Sequence, residues 1–307
     1  MDRSQALSKN AEHVTFARLA RDSAFELMLT SVLLFGVVSI VRWVIGPSPI
    51  SRAISGIHAE LWIVGATVGL LLAGLILSPA GRASGGHANP AISLAMWRFG
   101  VFPAAGVIPY AMAQLLGSIV GVVAARAVWG QVVADPPVVY AVIQPAPFWS
   151  TAPLFAAEAT GVGLIVFIVG YCLSVPRLAP RVPWVVGLLI GLGIALLGTS
   201  TGGSLNPARQ FGPAVVSGHT DELWVFLVAP MVGAGIAARL LQAFQRHRQL
   251  LTHRLCGTHP DGRRLDERHS RLHSEYRGSG RNREQDMNRT FTSKSRAQSR
   301  ERNGTGV

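Results

Sequence analysis

The sequence has little charge, and that charge is unevenly distributed. Only 14% of its 307 residues are Asp, Glu, Lys or Arg, whereas soluble domains carry about 25%. Residues 244–307 hold 15 Lys/Arg and 7 Asp/Glu, so the first 243 residues share only 22 charges. This distribution excludes an ordinary soluble enzyme and a fully disordered chain, and it indicates an apolar body followed by a basic tail.

Cysteine is also scarce, and the tail has few aromatic residues. The two cysteines, Cys172 in an apolar run and Cys256 in the tail, exclude a disulfide scaffold and are expected to be unpaired thiols. The net charge of +12 would suit nucleic acid, but beyond residue 246 only Tyr276 and Phe291 could stack on bases. We therefore expect no nucleic acid partner. Because no nucleophile–base set, metal cluster or phosphate loop stands out, we also expect no enzymatic activity, metal or cofactor.

Six long apolar segments fill most of the first 243 residues. A hydrocarbon core of about 30 Å requires about 20 apolar residues per helix. The candidate spans are residues 24–45, 60–80, 103–127, 152–174, 183–201 and 222–243. Six spans place both chain ends on one side, and the short segments on that side hold more Lys and Arg than those opposite. The positive-inside rule then predicts a plasma-membrane protein with both termini in the cytoplasm and the basic tail near the anionic leaflet.

Two short segments, residues 84–93 and 201–210, resemble each other. Each follows the second span of a three-span half, and each contains Asn-Pro-Ala after a Gly-Gly pair. Asn is a strong N-cap, and Pro suits the first helical position, so Asn89 and Asn206 predict helices over about Pro90–Arg98 and Pro207–Val216. Ten residues cover only about 15 Å, half of the hydrocarbon core. Three spans per half invert the second copy, so two half-helices are predicted to meet near the midplane.

At these residues the chain resembles the aquaporin (major intrinsic protein) family. The resemblance covers about residues 20–243 and rests on Ser84–Ala91 and Gly202–Arg209, the latter followed by Phe211-Gly212-Pro213, with support from Glu26 and Glu158. It implies an all-α membrane protein with six transmembrane helices, two re-entrant half-helices and an inverted repeat. It also implies one pore per chain and a homotetramer.

The resemblance assigns roles to the matching residues. The pore motifs are Asn89, Pro90, Ala91, Asn206, Pro207 and Ala208, in which the two amides donate hydrogen bonds to a permeating oxygen and the facing helix dipoles repel cations and protons. The buried carboxylates of Glu26 and Glu158 are expected to accept hydrogen bonds from loop backbone that the bilayer cannot satisfy. His87 is expected to help to hold the first loop.

The same matching predicts the narrowest ring of the pore. Its members are Arg209, Gly203, Ile194 and either Val68 or Gly69, because one extra residue in 78–82 leaves the last position open. The bulky aromatic residue and the histidine of strict water channels are absent from this ring, so a wider, apolar ring that admits glycerol-like solutes is predicted. Gln210 departs from the glycerol-channel pattern, which has Asp at that place.

The predicted function is a passive channel for water and small neutral solutes that excludes ions and protons. A water-selective channel, a proton-coupled transporter that uses Glu26 or Glu158, and a membrane scaffold that binds lipid or a partner remain as alternatives. The predicted organisation has an N-terminal segment (residues 1–22), a channel domain (23–243, with halves 23–128 and 152–243) and a disordered basic tail (244–307). Deletion of residues 250–307 is expected to leave solute flux intact.

Overall fold

The computed structural model describes the backbone of residues 3–245 and 250–258 and the side chains of residues 16–245 and 250–258. Its α-helices are α1 (Arg3–Val44), α2 (Pro49–Ala53), α3 (Ile57–Leu77), α4 (Pro79–Ser84), α5 (Pro90–Arg98), α6 (Ala104–Trp129), α7 (Thr151–Leu173), α8 (Val182–Leu197), α9 (Pro207–Ser217) and α10 (Leu223–Phe244). Short 3₁₀ helices cover Gly130–Val133, Val139–Ala141 and Ala179–Arg181. No strand ladder joins the described residues, so the all-α prediction is confirmed.

Six helical segments in the described part of the chain are long and apolar enough to cross a membrane. They are Phe16–Val44, Ile57–Leu77, Ala104–Val133, Thr151–Leu173, Ala179–Leu197 and Leu223–Phe244. Each coincides with a predicted span, and the chain is a multi-pass membrane protein. The first helix starts earlier than expected, because α1 runs back without interruption through most of the predicted N-terminal segment.

The two short helices α5 and α9 start where the asparagine caps predicted. Asn89 and Asn206 have extended backbones, with φ of −158° and −161°, and each side-chain oxygen accepts a hydrogen bond from the backbone N–H two residues later. Proline follows each cap at the first helical position, where its missing N–H costs nothing. Both helices are therefore started by local chemistry, and α9 ends at Gly218 in a left-handed conformation.

The halves of the bundle pack through small residues. An added Cβ on Gly69 of α3 would collide with the carbonyl of Gly187 on α8, and Gly65 faces Gly191 in the same way one turn away. Backbones can approach this closely only where side chains are missing, as in other membrane helix pairs. We call the side of the bundle where the first membrane helix begins and the sixth ends the terminal side, and the opposite side the distal side.

The structure contradicts the predicted disorder of the tail at residues 250–258. Composition predicts disorder there, but Leu255 and Cys256 are 1% and 4% exposed, and the segment packs against the terminal side of the bundle. The prediction from composition failed because apolar residues within this segment pack against apolar partners that only the folded bundle provides. The residues concerned are Leu250, Leu251, Leu255 and Cys256. By its internal contacts the chain divides at residue 262, and residues 246–249 and 259–307 of the predicted tail lie outside the described residues.

Candidate functional site: a central channel

The two loops that carry Asn-Pro-Ala meet at the centre of the bundle. We call the loop that ends at Asn89 the first loop and the loop that ends at Asn206 the second loop. Asn89 Nδ2 donates to the carbonyl oxygen of Leu205 at 3.0 Å, and Asn206 Nδ2 donates to that of Ala88 at 2.9 Å. Ala88 and Leu205 have φ of 44° and 51°, the left-handed region that non-glycine residues rarely adopt. This strained backbone turns each carbonyl toward the opposite loop, so the inverted repeat is joined by a symmetric pair of hydrogen bonds.

Each asparagine amide still has one donor to offer. An amide group carries two N–H donors and one acceptor oxygen. The oxygen is taken by Ala91 N in one half and by Ala208 N in the other, at 2.9 Å in both. One N–H is taken by the opposite loop, so the second N–H of Asn89 and of Asn206 is left for the channel that both residues line.

Glu26 supports the first loop from inside α1. Its carboxylate is fully buried and accepts hydrogen bonds from Ser84 Oγ (2.7 Å), His87 N (3.0 Å), Ala88 N (2.7 Å) and Gln114 Nε2 (2.8 Å). Two of these donors are backbone groups that face away from any helix partner. Such groups must be satisfied inside the protein at membrane depth.

Glu158 repeats the arrangement in the second half. It is also fully buried, and it accepts from Thr201 Oγ1 (3.3 Å), Ser204 N (3.1 Å) and Leu205 N (2.8 Å). The three donors occupy the places that correspond to those on the first loop. All four carboxylate oxygens of Glu26 and Glu158 therefore accept hydrogen bonds that stabilise the two loops. Neither residue is among those that line the channel.

Two adjacent spaces, which share lining residues, lie along the channel. A cavity of about 40 Å³ runs past both asparagines, and a larger distal vestibule of about 170 Å³ opens on the far side of Arg209. Side chains shared by the two spaces mark the boundary between them. They are Val37, Val68, Ile194 and Arg209.

The structure separates the two candidates on α3. Val68 lines the channel, whereas Gly69 lies against Gly187 and borders a groove on the outer surface of the bundle. Of the two, only Val68 is among the residues that line the channel, and the assignment of the ring itself stays a prediction. Ile194 and Gly203 line the channel with Val68.

Arg209 is fixed by a loop on the distal side. Its guanidinium donates to the carbonyl oxygen of Ala141 at 2.7 Å. The neighbouring Gln210 does not face the channel, since its side chain accepts from Ile143 N (3.0 Å) and donates to Ile143 O (2.8 Å). Sequence matching treats Gln210 as a mark of solute preference; the structure makes it an anchor for the loop that holds Arg209. No pattern near Gln210 in the sequence points to this partner, 67 residues away.

His87 lies on the first loop, at the terminal end of the channel. Its Nδ1 lies 3.0 Å from Ser93 Oγ and its Nε2 lies 3.1 Å from the carbonyl oxygen of His253. A carbonyl can only accept, so Nε2 carries the proton and the imidazole is neutral when Ser93 donates to Nδ1. His87 thus connects the loop to a segment that the sequence placed outside the channel domain.

Comparison with known proteins agrees with this geometry. Residues 11–241 match the family model described as Major intrinsic protein. The probable aquaporin NIP7-1 of Arabidopsis thaliana is 33% identical over 68% of this chain and 71% of its own length. The probable aquaporin AqpM of Archaeoglobus fulgidus is 34% identical over 59% of this chain and 75% of its own. The X-ray structure of the aquaglyceroporin from Plasmodium falciparum superposes with a TM-score of 0.61 at 24% identity and covers 72% of this chain and 95% of its own.

Six membrane helices around a narrow channel, with two capped half-helices meeting inside it, define a passive membrane channel. The chain belongs to the major intrinsic protein family. It is a channel for water and small solutes, in agreement with the function predicted from the sequence.

Proposed function

We propose that the channel conducts small neutral solutes such as glycerol as well as water, and that Val68, Ile194, Gly203 and Arg209 form its selective ring. The observation that carries this proposal is the composition of the boundary between cavity and vestibule. Three aliphatic side chains (Val37, Val68 and Ile194) line both spaces together with a single guanidinium, and Gly203 lines the cavity beside them. Aliphatic walls suit a carbon backbone, and Arg209 can donate hydrogen bonds to hydroxyl groups.

Ion exclusion in this proposal comes from the centre of the channel. The N-termini of α5 and α9 carry partial positive charge and point at each other, which repels cations. The remaining N–H donors of Asn89 and Asn206 orient a water oxygen, so the water presents no acceptor through which a proton could pass. Arg209 adds a full positive charge at the distal constriction.

The hydrogen bonds of Glu26 and Glu158 favour passive conduction over proton-coupled transport. A carboxylate that carries protons must alternate between charged and neutral forms. Both groups here accept from backbone N–H donors, and that arrangement is satisfied only while the oxygens accept. We assign both residues a supporting role for the loops.

Orientation and assembly belong to the same proposal. The excess of Lys and Arg in the short segments on the terminal side supports a cytoplasmic location for that side. A plasma membrane location and a homotetramer are part of the proposal, and family membership supports them. Exposed apolar side chains on α3 and α8, including Trp62 and Trp184 at 50% and 55% exposure, are available for lipid or for neighbouring copies.

Stopped-flow light scattering of proteoliposomes tests the solute preference. The wild type is compared with a double variant, Val68→Phe with Ile194→His, for water, glycerol and urea. Val68→Phe adds bulk to the ring and Ile194→His replaces an aliphatic wall with a polar imidazole, so we expect glycerol permeability to fall by about ten-fold or more and water permeability to fall less. A Gly203→Thr change is unsuitable, because Gly203 has φ of 59° and an added Cβ would lie 2.5 Å from the carbonyl oxygen of Gly193.

The matched control is Leu70→Phe, which adds an aromatic ring on the same helix at a side chain that is 63% exposed on the outer surface. It should leave both permeabilities unchanged. A wild type that conducts water and rejects glycerol would overturn the proposal in favour of a water-selective channel.

A further inference from the structure

Residues 250–258 form a short segment that packs at the terminal end of the channel. Thr252, Leu255, Cys256 and Thr258 are all below 8% exposed. This degree of burial is unusual for a segment outside the membrane helices. It means that the bundle has a site shaped to receive this piece of chain.

Backbone hydrogen bonds attach the segment to two separate parts of the bundle. Leu251 N donates to the carbonyl of Leu173, the last residue of α7, at 3.3 Å. Leu255 N donates to the carbonyl of Gly85 on the first re-entrant loop at 2.9 Å. On the same loop, an imidazole nitrogen reaches the carbonyl of His253 at 3.1 Å. The segment therefore bridges the terminal-side end of a membrane helix and the loop that carries the pore motif.

Two side chains of the segment pack at the terminal end of the channel. The His253 ring lies 5.6 Å from the ring of His87 and 5.3 Å from that of Phe102, measured between centroids. Leu255 goes deeper and lines the same cavity as Asn89 and Asn206. Its side chain thus stands in the path between the central cavity and the terminal side of the membrane.

A tight turn at Gly257 brings the end of the segment against the bundle. Gly257 has φ of 68°, and an added Cβ would collide with the carbonyl of Ala179 in the 3₁₀ helix between α7 and α8. Only glycine satisfies both the left-handed backbone and the close approach. Gly257 offers a way to disturb docking at a position that does not line the channel.

We propose that residues 250–258 are an autoinhibitory plug, with Leu255 as its stopper, and that the channel conducts fully only when this segment leaves the terminal mouth. The inference rests on the conducting function described above. The distal vestibule has a volume of about 170 Å³, whereas the central cavity, which Leu255 lines together with Asn89 and Asn206, has only about 40 Å³. On this basis deletion of residues 250–307 raises flux, contrary to the expectation from the sequence.

Docking of the plug carries a cost that its release removes. Hydrogen bonds from Leu251 N, from Leu255 N and from the His87 ring contribute to docking together with buried apolar side chains, and His253 Nδ1 is buried without a hydrogen-bond partner among the described residues. A buried polar nitrogen without a partner regains hydration when it is released. Docking and release are therefore two accessible states, and any factor that binds the released segment opens the channel.

Two variants of the full-length chain test the plug. Leu255→Ala removes the stopper, and Gly257→Ala disturbs the turn. Truncation of a buried leucine alters a local equilibrium by about ten-fold or more, so we expect the osmotic water permeability per inserted channel to rise by about ten-fold in both. The matched control is Gly218→Ala, at another left-handed glycine (φ of 80°) with no atom within 4 Å of an added Cβ. It should leave water permeability unchanged.

Cys256 provides a second readout that does not depend on flux. In a Cys172→Ala background it is the single thiol, and it is buried while the segment is docked. We expect slow reaction with a membrane-impermeant maleimide in the parent and faster reaction in Gly257→Ala. Rapid labelling of the parent would overturn the plug, as would permeability that stays unchanged while labelling accelerates. Absence of water flux from every variant, with Cys256 protected, would instead overturn the conducting function and the plug with it.

Discussion

Asn89 and Asn206 each hold the loop that positions the other. The amide of Asn89 donates to the carbonyl that precedes Asn206, and the amide of Asn206 donates to the carbonyl that precedes Asn89. Neither half-helix can move away from the centre without breaking both bonds. The channel centre is therefore a rigid crosslink as well as a set of donors for the permeating molecule.

Replacement of Asn206 by Asp should weaken cation exclusion. The substitution loses the donor to Ala88 and places a negative charge where two helix N-termini repel cations. We expect a larger increase in ion conductance than change in water permeability, measured on the same proteoliposomes. Asn206→Ser, which removes the amide but adds no charge, should leak much less; equal leaks would mean that charge is not the cause.

Replacement of Glu158 by Gln should reduce stability without making flux depend on a proton gradient. Glutamine presents one amide nitrogen in place of an acceptor, and it would leave Leu205 N or Ser204 N without a partner. A buried unsatisfied donor costs about 1–3 kcal/mol, so thermal unfolding in detergent should occur at a lower temperature. Glu26→Gln should behave alike. Solute accumulation by the wild type that is lost in either variant would identify a transporter instead.

Val68 and Gly69 should respond to substitution in opposite ways. An added methyl at Gly69 meets the Gly187 carbonyl, so Gly69→Ala should cost about 1–3 kcal/mol of stability by overpacking. Val68→Ala widens the channel wall and should raise glycerol permeability. Measurement of both unfolding temperature and flux for each variant separates the two positions; a flux change in folded Gly69→Ala that equals that of Val68→Ala would contradict the placement.

Acid should release the plug through His253. Burial lowers the pKa of His253 to about 3 from 6.5, and the nearby His87 and Arg254 act in the same direction. His87 on the first loop and Arg254 on the segment itself are the groups that act on His253, and the packed Phe102 ring carries no charge. Because the docked state has the lower pKa, only the released state takes up a proton between these values. Docking should therefore weaken by up to about ten-fold for each pH unit below 6.5.

The measurement is water permeability from about pH 7.5 to about pH 5.5, with the rise expected below about pH 6.5. His253→Phe keeps an aromatic ring beside Phe102 and removes the titration, so its permeability should stay low and flat. The same acid response in His253→Phe would assign the effect to another group, with His87 the first candidate.

Much of this channel could be predicted from the sequence, because short-range interactions determine the elements concerned. A span requires only a run of apolar residues, and a half-helix requires only an asparagine cap and a proline in the right order. Hence the six spans, and the starts of α5 and α9 at Pro90 and Pro207, could be predicted from the sequence. The likeness of the two motif segments even indicated the inverted repeat.

The remainder depended on contacts between distant parts of the chain. Val68 and Gly69 are adjacent on α3, and only the approach of α8 decides which of them faces the channel. Gln210 and Ile143 are far apart in sequence, so no local pattern could reveal their pairing. Residues 250–258 read as part of a polar tail because composition averages over neighbours. Their burial depends on the shape of a mouth formed by α7, the first loop and the 3₁₀ helix at Ala179, and that shape exists only in the folded bundle.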